Sequence, residues 1–199
     1  MELVPTVISA GWASGVNAYG TVALLGLLGR AGVGEVPEPL TGTPVIAIAL
    51  VLYAIEFVVD KVPYLDNTWD IVSTPVRPAI ASAVGSLFAG GADVHGVDQV
   101  LAAGGAGSTA LASHGIKAAL RLGINASPEP ASNIVVSLTE DGLVALVVAL
   151  TLEHPVTALA IVILLLALGV GLVILIWSRI RRAWRAWRRR HPRASRSPP

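Results

Sequence analysis

Glu56, Asp60, Lys61, Asp66 and Asp70 fall on one short stretch, E-F-V-V-D-K-V-P-Y-L-D-N-T-W-D, in a chain with 13 acidic residues in total. Glu56 and Asp60 are four apart and share one helix face. The stretch begins inside an apolar run, where a carboxylate is costly and marks a functional site by default. Two further carboxylates, Glu140 and Asp141, interrupt another apolar run, and His114 and Lys117 interrupt a third. Counting ~1.5 Å per helical residue from one end, Glu56 lies ~9 Å deep, Glu140 and Asp141 ~11–12 Å, and His114 and Lys117 ~6–10 Å. Asn17, in a Gly-rich segment, is slightly deeper. Several helices thus bring ionisable groups to one depth.

That arrangement permits two kinds of chemistry. Carboxylates lining an aqueous cavity bind a cation or relay protons, and two close together raise one pKa toward neutrality. Hard oxygen ligands suit divalent cations, so Glu56, Glu140 and Asp141 are candidate metal ligands, with His114 broadening the range. Alternatively Lys117 pairs with Glu140, Asp141 or Asp60, and the cluster only locks helices together. Lys61, His114, Lys117 and Arg121 are candidates for gating or charge pairing. Asp66 and Asp70, after Pro63, read as loop residues: a cation-recruiting vestibule, a helix cap or a solvated turn. Asp93, His95 and Asp98 read as turn residues of another loop.

The elements that must position these groups are membrane helices. The 199 residues are 54% hydrophobic and only 14% charged, with a mean hydropathy of +0.71. Soluble domains carry about 25% charged residues. The sequence predicts an all-α, polytopic membrane bundle of six segments: 6–29, 43–62, 76–92, 99–121, 133–152 and 155–178. The bundle occupies residues 1–178, and residues 179–199 form a basic amphipathic helix and disordered tail. The N-terminus lacks the positive region of a signal peptide, so the first segment is expected to persist. Nine of the 14 Lys/Arg lie between Arg179 and Arg196. The positive-inside rule then places that tail, and with six spans both termini, on the cytoplasmic side of the inner membrane. Trp177, Ile180, Trp184 and Trp187 recur at helical spacing among arginines and suit an anionic lipid surface.

Internal similarity points further. Arg30-Ala31-Gly32 followed by Pro37-Glu38-Pro39 recurs as Arg121-Leu122-Gly123 followed by Pro128-Glu129-Pro130, at a constant offset of 91. Halves of three segments each (6–92 and 97–178) imply a 3+3 inverted-topology repeat, the architecture of many secondary transporters. The Gly-rich first and fourth segments would be its discontinuous elements. Gly11 and Gly15 allow close helix approach, and Ala81, Gly85 and Ala89 offer a small-residue face for a homo-oligomer.

Absent residues exclude other classes. No cysteine is present, which removes disulfides and thiolate chemistry. No hydrolase triad, P-loop or dinucleotide fingerprint occurs, so no enzyme is expected, and no cofactor beyond a divalent cation as substrate or ligand. A membrane-tethered Arg tail argues against nucleic acid.

The motifs S-G-V-N-A-Y-G-T, L-G-L-L-G-R, the Glu56–Asp70 stretch, V-R-P-A, H-G-I-K-A-A-L-R, N-A-S-P-E-P-A-S-N and S-L-T-E-D-G together resemble the membrane proteins grouped as domain of unknown function 4126. That resemblance covers nearly the whole chain before the tail and implies no settled activity. A fainter one is to six-span cation/proton exchangers of the lysine- and manganese-exporter type, with their paired E-x-G-D-K motifs. Here Glu56 to Lys61 reads E-x-x-x-D-K and the second half offers only E-D-G, so the likeness serves as analogy. The leading expectation is a small exchanger with its site at Glu56, Asp60, Glu140, Asp141 and Asn17. The alternatives are a non-transporting scaffold and a lipid-handling protein with Lys117, Arg121 and Arg77 facing head groups.

Overall fold

A computed structural model describes residues 2–62, 65–125 and 130–190, with backbone only at 130, 183 and 186–190. The described residues form eight helices. These are α1 (Leu3–Val16), α2 (Ala18–Arg30), α3 (Glu38–Thr41), α4 (Thr43–Val59), α5 (Leu65–Gly91), α6 (Val97–Asn125), α7 (Pro130–Glu153) and α8 (Pro155–Arg190). Among them α5, residues 131–153 of α7 and Pro155–Arg182 of α8 are long and apolar enough to cross a membrane, and α1 and α4 are shorter apolar helices. The chain is an all-helical protein of membrane type.

The first segment is broken at Asn17, whose backbone is extended between α1 and α2. An asparagine favours this because its side chain caps the new helix, here by accepting from the Gly20 amide at 2.8 Å. The break reverses the chain. Gly11 lies against Ala106 and Gly15 against Ala110, so α1 runs parallel to α6. Gly20 lies against Tyr53, Gly26 against Ile46 and Gly29 against Thr41, so α2 runs back antiparallel to α4. At ~1.5 Å per residue each arm is only ~20 Å long. The segment expected to cross once is instead a hairpin that enters the bundle and returns.

Two expectations change with it. Six crossing segments are not reproduced among the described residues: α5, α7 and α8 have the length and apolar character of spans, α6 has the length, and α4 is shorter. The termini also lie at opposite ends: Glu2 sits beside Gly34, Glu153 and Pro155, whereas the far part of α8 packs at the other end, with Ile176 beside Gly123. The fourth segment, expected to be discontinuous, is one continuous helix of 29 residues. One of its glycines serves close packing: a Cβ on Gly107 would overlap Ser82 Oγ.

Small residues set the core. Trp12, Ala13 and Val16 of α1 pack with Ala81, Val84 and Phe88 of α5, Ala106 and Ala110 of α6, and Val144 and Val147 of α7. A Cβ on Gly85 would stand 2.8 Å from Ala106 Cβ, so the Ala81–Gly85–Ala89 face is buried against α6. It is therefore not available as the expected homo-oligomer contact. α8 continues unbroken to Arg190, with Trp177, Ile180 and Trp184 exposed and Arg181 5.4 Å from the Trp177 ring. The Trp187 side chain, Pro128, Glu129 and the tail after Arg190 lie outside the described residues.

Candidate functional site

The hairpin tip ends halfway down the bundle, and the charged residues gather around it. An α-helix leaves its last carbonyls without partners. Here the C-terminal carbonyls of α1 are met by cations from other helices: Arg77 donates to Gly15 O at 3.1 Å, and Lys117 to Val16 O at 3.0 Å. Ser113 donates to Trp12 O at 2.9 Å.

Helical spacing explains which cations reach. On α5 the buried polar residues are Asp66, Asp70, Ser73 and Arg77; on α6, besides Ser113, they are His114, Lys117, Arg121 and Asn125. Both sets recur every three or four residues, one polar stripe per helix. The stripes face each other. Arg77 pairs with Glu56 at 2.5 Å and Asp70 at 3.4 Å. Lys117 pairs with Asp60 at 2.7 Å, Glu140 at 3.5 Å and Glu56 at 4.0 Å. Arg121 pairs with Asp60 and Asp66, each at 3.3 Å, and closely with Glu140. Asn125 donates to Asp66 at 2.9 Å. Arg77 also donates to His114 Nδ1 at 2.8 Å. That bond assigns the ring proton to Nε2, which lies 3.1 Å from Asp70 O and 3.0 Å from Thr74 Oγ1.

The structure thus brings Glu56, Asp60, Glu140, His114, Lys117 and Arg121 together, as their shared depth predicts. Asn17 joins them by donating to Asp141 at 3.2 Å. Lys61 stands apart from the carboxylates, bonded to Phe57 O and Ser137 Oγ with its ammonium over the Phe57 ring.

Other expectations are corrected. Asp66 and Asp70 are not in a loop; they lie in the first two turns of α5 and are buried. An acid in a helix's first turn suits its positive end, and the partners Arg121 and Asn125 offset burial. The third segment was expected to start at Val76, but the helix starts at Leu65 and carries Pro75 and Pro78 internally. Arg77, expected near head groups, is almost fully buried and central; Arg121 is buried too. The periodicity of Asp66, Asp70, Ser73 and Arg77 is the signal that identifies this stripe. Among the described residues, no three His, Asp or Glu side chains are arranged to hold a metal ion. Of the expected set, Glu56 is engaged by Arg77 through one oxygen, Glu140 by Arg121 and Lys117, and Asp141 by Asn17 through one oxygen.

Electrostatically the cluster does not balance. Five ion-paired carboxylates (Glu56, Asp60, Asp66, Asp70, Glu140) face three cations (Arg77, Lys117, Arg121). Adding Asp141 and Lys61 keeps the acidic excess at two. Glu56 Oε2, Asp60 Oδ1, both Asp70 oxygens and Asp141 Oδ2 are buried and accept no hydrogen bond from the described residues. A group able to bring protons or cations has acceptors waiting there.

Asn17 holds the tip from both sides. Asn17→Ala removes the Gly20 cap and the Asp141 bond, and is expected to cost about 1–2 kcal/mol, read as a lower unfolding temperature in detergent. Asn17→Asp keeps the cap and places a second carboxylate against Asp141; it is expected to be less stable at neutral than at acid pH.

Fold and site together define a small helical membrane-type protein built around a buried, acid-rich polar core. The chain matches the family described as Domain of unknown function (DUF4126) over residues 4–175, and it belongs to that family. No curated protein and no solved structure matches it.

Proposed function

We propose that the protein is a small secondary transporter whose buried acid cluster takes up protons or small cations at the tip of the α1–α2 hairpin. The observation that carries this is the excess of two carboxylates over cations in a largely buried site. Buried charge is tolerated where it is paired or where it is the working part of a pathway. Irregular backbone at membrane depth occurs where it lines protein or a cavity, and helix ends there coordinate ions. Arg77 and Lys117 act as internal cations that fill the carbonyl end of α1 in this state. Proton or cation uptake by Glu56 and Glu140 would loosen them.

Several features support a diverged inverted repeat. Arg30 and Arg121 lie toward opposite ends, α2 runs opposite to the half of α6 it resembles, and α1 packs on both α5 and α8. In this reading α1 is the part that departs from symmetry by folding back. The basic end of α8 faces the cytoplasm by the positive-inside rule, where its Arg/Trp face meets anionic lipid.

The test is flux in proteoliposomes, followed with a pH-sensitive dye across a panel of monovalent and divalent cations. Glu56→Gln and Glu140→Gln are expected to lower flux by about tenfold or more, the loss of one charged hydrogen-bonding group. Wild-type flux from both would sink the carboxylate assignment. A second reading, a non-transporting scaffold, is favoured by the pairing of every cluster cation with a carboxylate. In that case wild-type protein shows no flux above empty liposomes for any ion.

A further inference from the structure

A groove of about 350 Å³ opens between α1, α6, α7 and α8, within the size range of small-molecule sites. Its walls are apolar: Trp12 and Val16 from the hairpin, Leu143 from α7 and Leu165 from α8. Its rim is formed by Leu168 and Leu172, 54% and 48% exposed on the most apolar of the three candidate spans. A rim of this kind meets acyl chains, and entry is sideways from the bilayer.

The floor is charged. Lys117 and Glu140 both line the groove; both are ion-paired, but they are not equally exposed. The Lys117 ammonium is committed to Asp60 and Val16 O and is only 3% exposed. Glu140 is 15% exposed, against 4% or less for every other ion-paired group of the cluster. The charge that the groove presents is therefore a carboxylate, backed by a cluster with two acids in excess.

We propose that this groove is a lateral binding site for lipophilic cations. An alkyl chain lies along the apolar walls and an ammonium head stops at Glu140. Charge complementarity selects the occupant. An anionic amphiphile meets a carboxylate in a low-dielectric floor, and a neutral one gains only the burial of its chain. A cation at Glu140 competes with Arg121 and Lys117 for the same oxygens, which couples occupancy of the groove to the ion-paired core. The assignment deepens the transporter reading by naming a substrate class for the same site, and it rests on that reading for its role in transport.

The experiment uses the full chain in zwitterionic nanodiscs, titrated calorimetrically with dodecyltrimethylammonium, dodecanol and dodecyl sulfate against empty nanodiscs. One saturable site per chain is expected for the ammonium compound alone. Glu140→Gln should weaken it about tenfold or more, and Leu168→Trp, which fills the rim from an exposed position, should abolish it. Equal saturation by all three amphiphiles, no saturable binding of the ammonium, or undiminished binding by both variants overturns the proposal. Ion flux is read in parallel. Intact flux without ammonium binding overturns the groove site alone, whereas intact binding without flux supports the site and overturns only the transporter reading.

Discussion

Replacing Arg77 by methionine should cost about 3–5 kcal/mol, the scale for removing one partner of a buried ion pair. Whole proteins are stable by only about 5–15 kcal/mol, so this change should leave much of the chain misfolded or aggregated after detergent extraction. The cost comes from what is stranded. Glu56, fully buried, keeps only Lys117 at 4.0 Å, and Gly15 O, His114 Nδ1 and Asp70 all lose their guanidinium partner. Arg77→Lys should not rescue it, because one ammonium cannot reproduce a fork that reaches four partners. The control is the Glu56→Gln, Arg77→Met double variant, in which neither charge remains. Its loss should be smaller than the sum of the two single losses by more than about 1 kcal/mol. Thermal unfolding in detergent and the fraction of monodisperse protein measure all four. Wild-type stability for Arg77→Met would show that Arg77 is not central to the fold.

Gly15→Val should separate the hairpin tip from α6. A Cβ at this position would fall inside contact distance of Ser113 Oγ and the Ala110 backbone, and the backbone of a 29-residue helix does not yield cheaply. Overpacking costs about 1–3 kcal/mol or more. Here it also breaks Arg77 to Gly15 O and Lys117 to Val16 O, so the acid cluster loses its alignment as well. The variant should therefore lose stability and flux together. Gly104 is the internal comparison: nothing stands within 4 Å of a Cβ built there. Gly104→Ala should be neutral in flux and stabilising by about 0.5–1 kcal/mol, the ordinary helix-propensity gain. Equal behaviour of the two variants would show that close approach at Gly15 is not required.

Much of the site is legible in the residues alone. Glu56 and Asp60 share a face by spacing, and helical rise puts Glu140, Lys117 and His114 at their depth; all five meet around the hairpin tip. Gly11 and Gly15 advertise close packing and deliver it against Ala106 and Ala110. The Gly-rich first segment reads as discontinuous and is broken, at Asn17, and the family is recognisable from dispersed motifs. These are local properties: period, propensity and distance along a helix.

What the tertiary structure decided is direction and partnership. A segment of 24 small and apolar residues has the same composition whether it crosses a bilayer or turns back at Asn17, so counting spans reads one crossing where a hairpin exists. That one reversal moves the N-terminus to the other end of the bundle. Asp66, Asp70 and Arg77 read as interfacial because charged residues after a proline usually meet water. They are buried because Arg121, Asn125 and Glu56, distant in sequence, supply the opposite charges that make burial tolerable. Polarity along the chain states what burial would cost; only the packed helices show who offsets it.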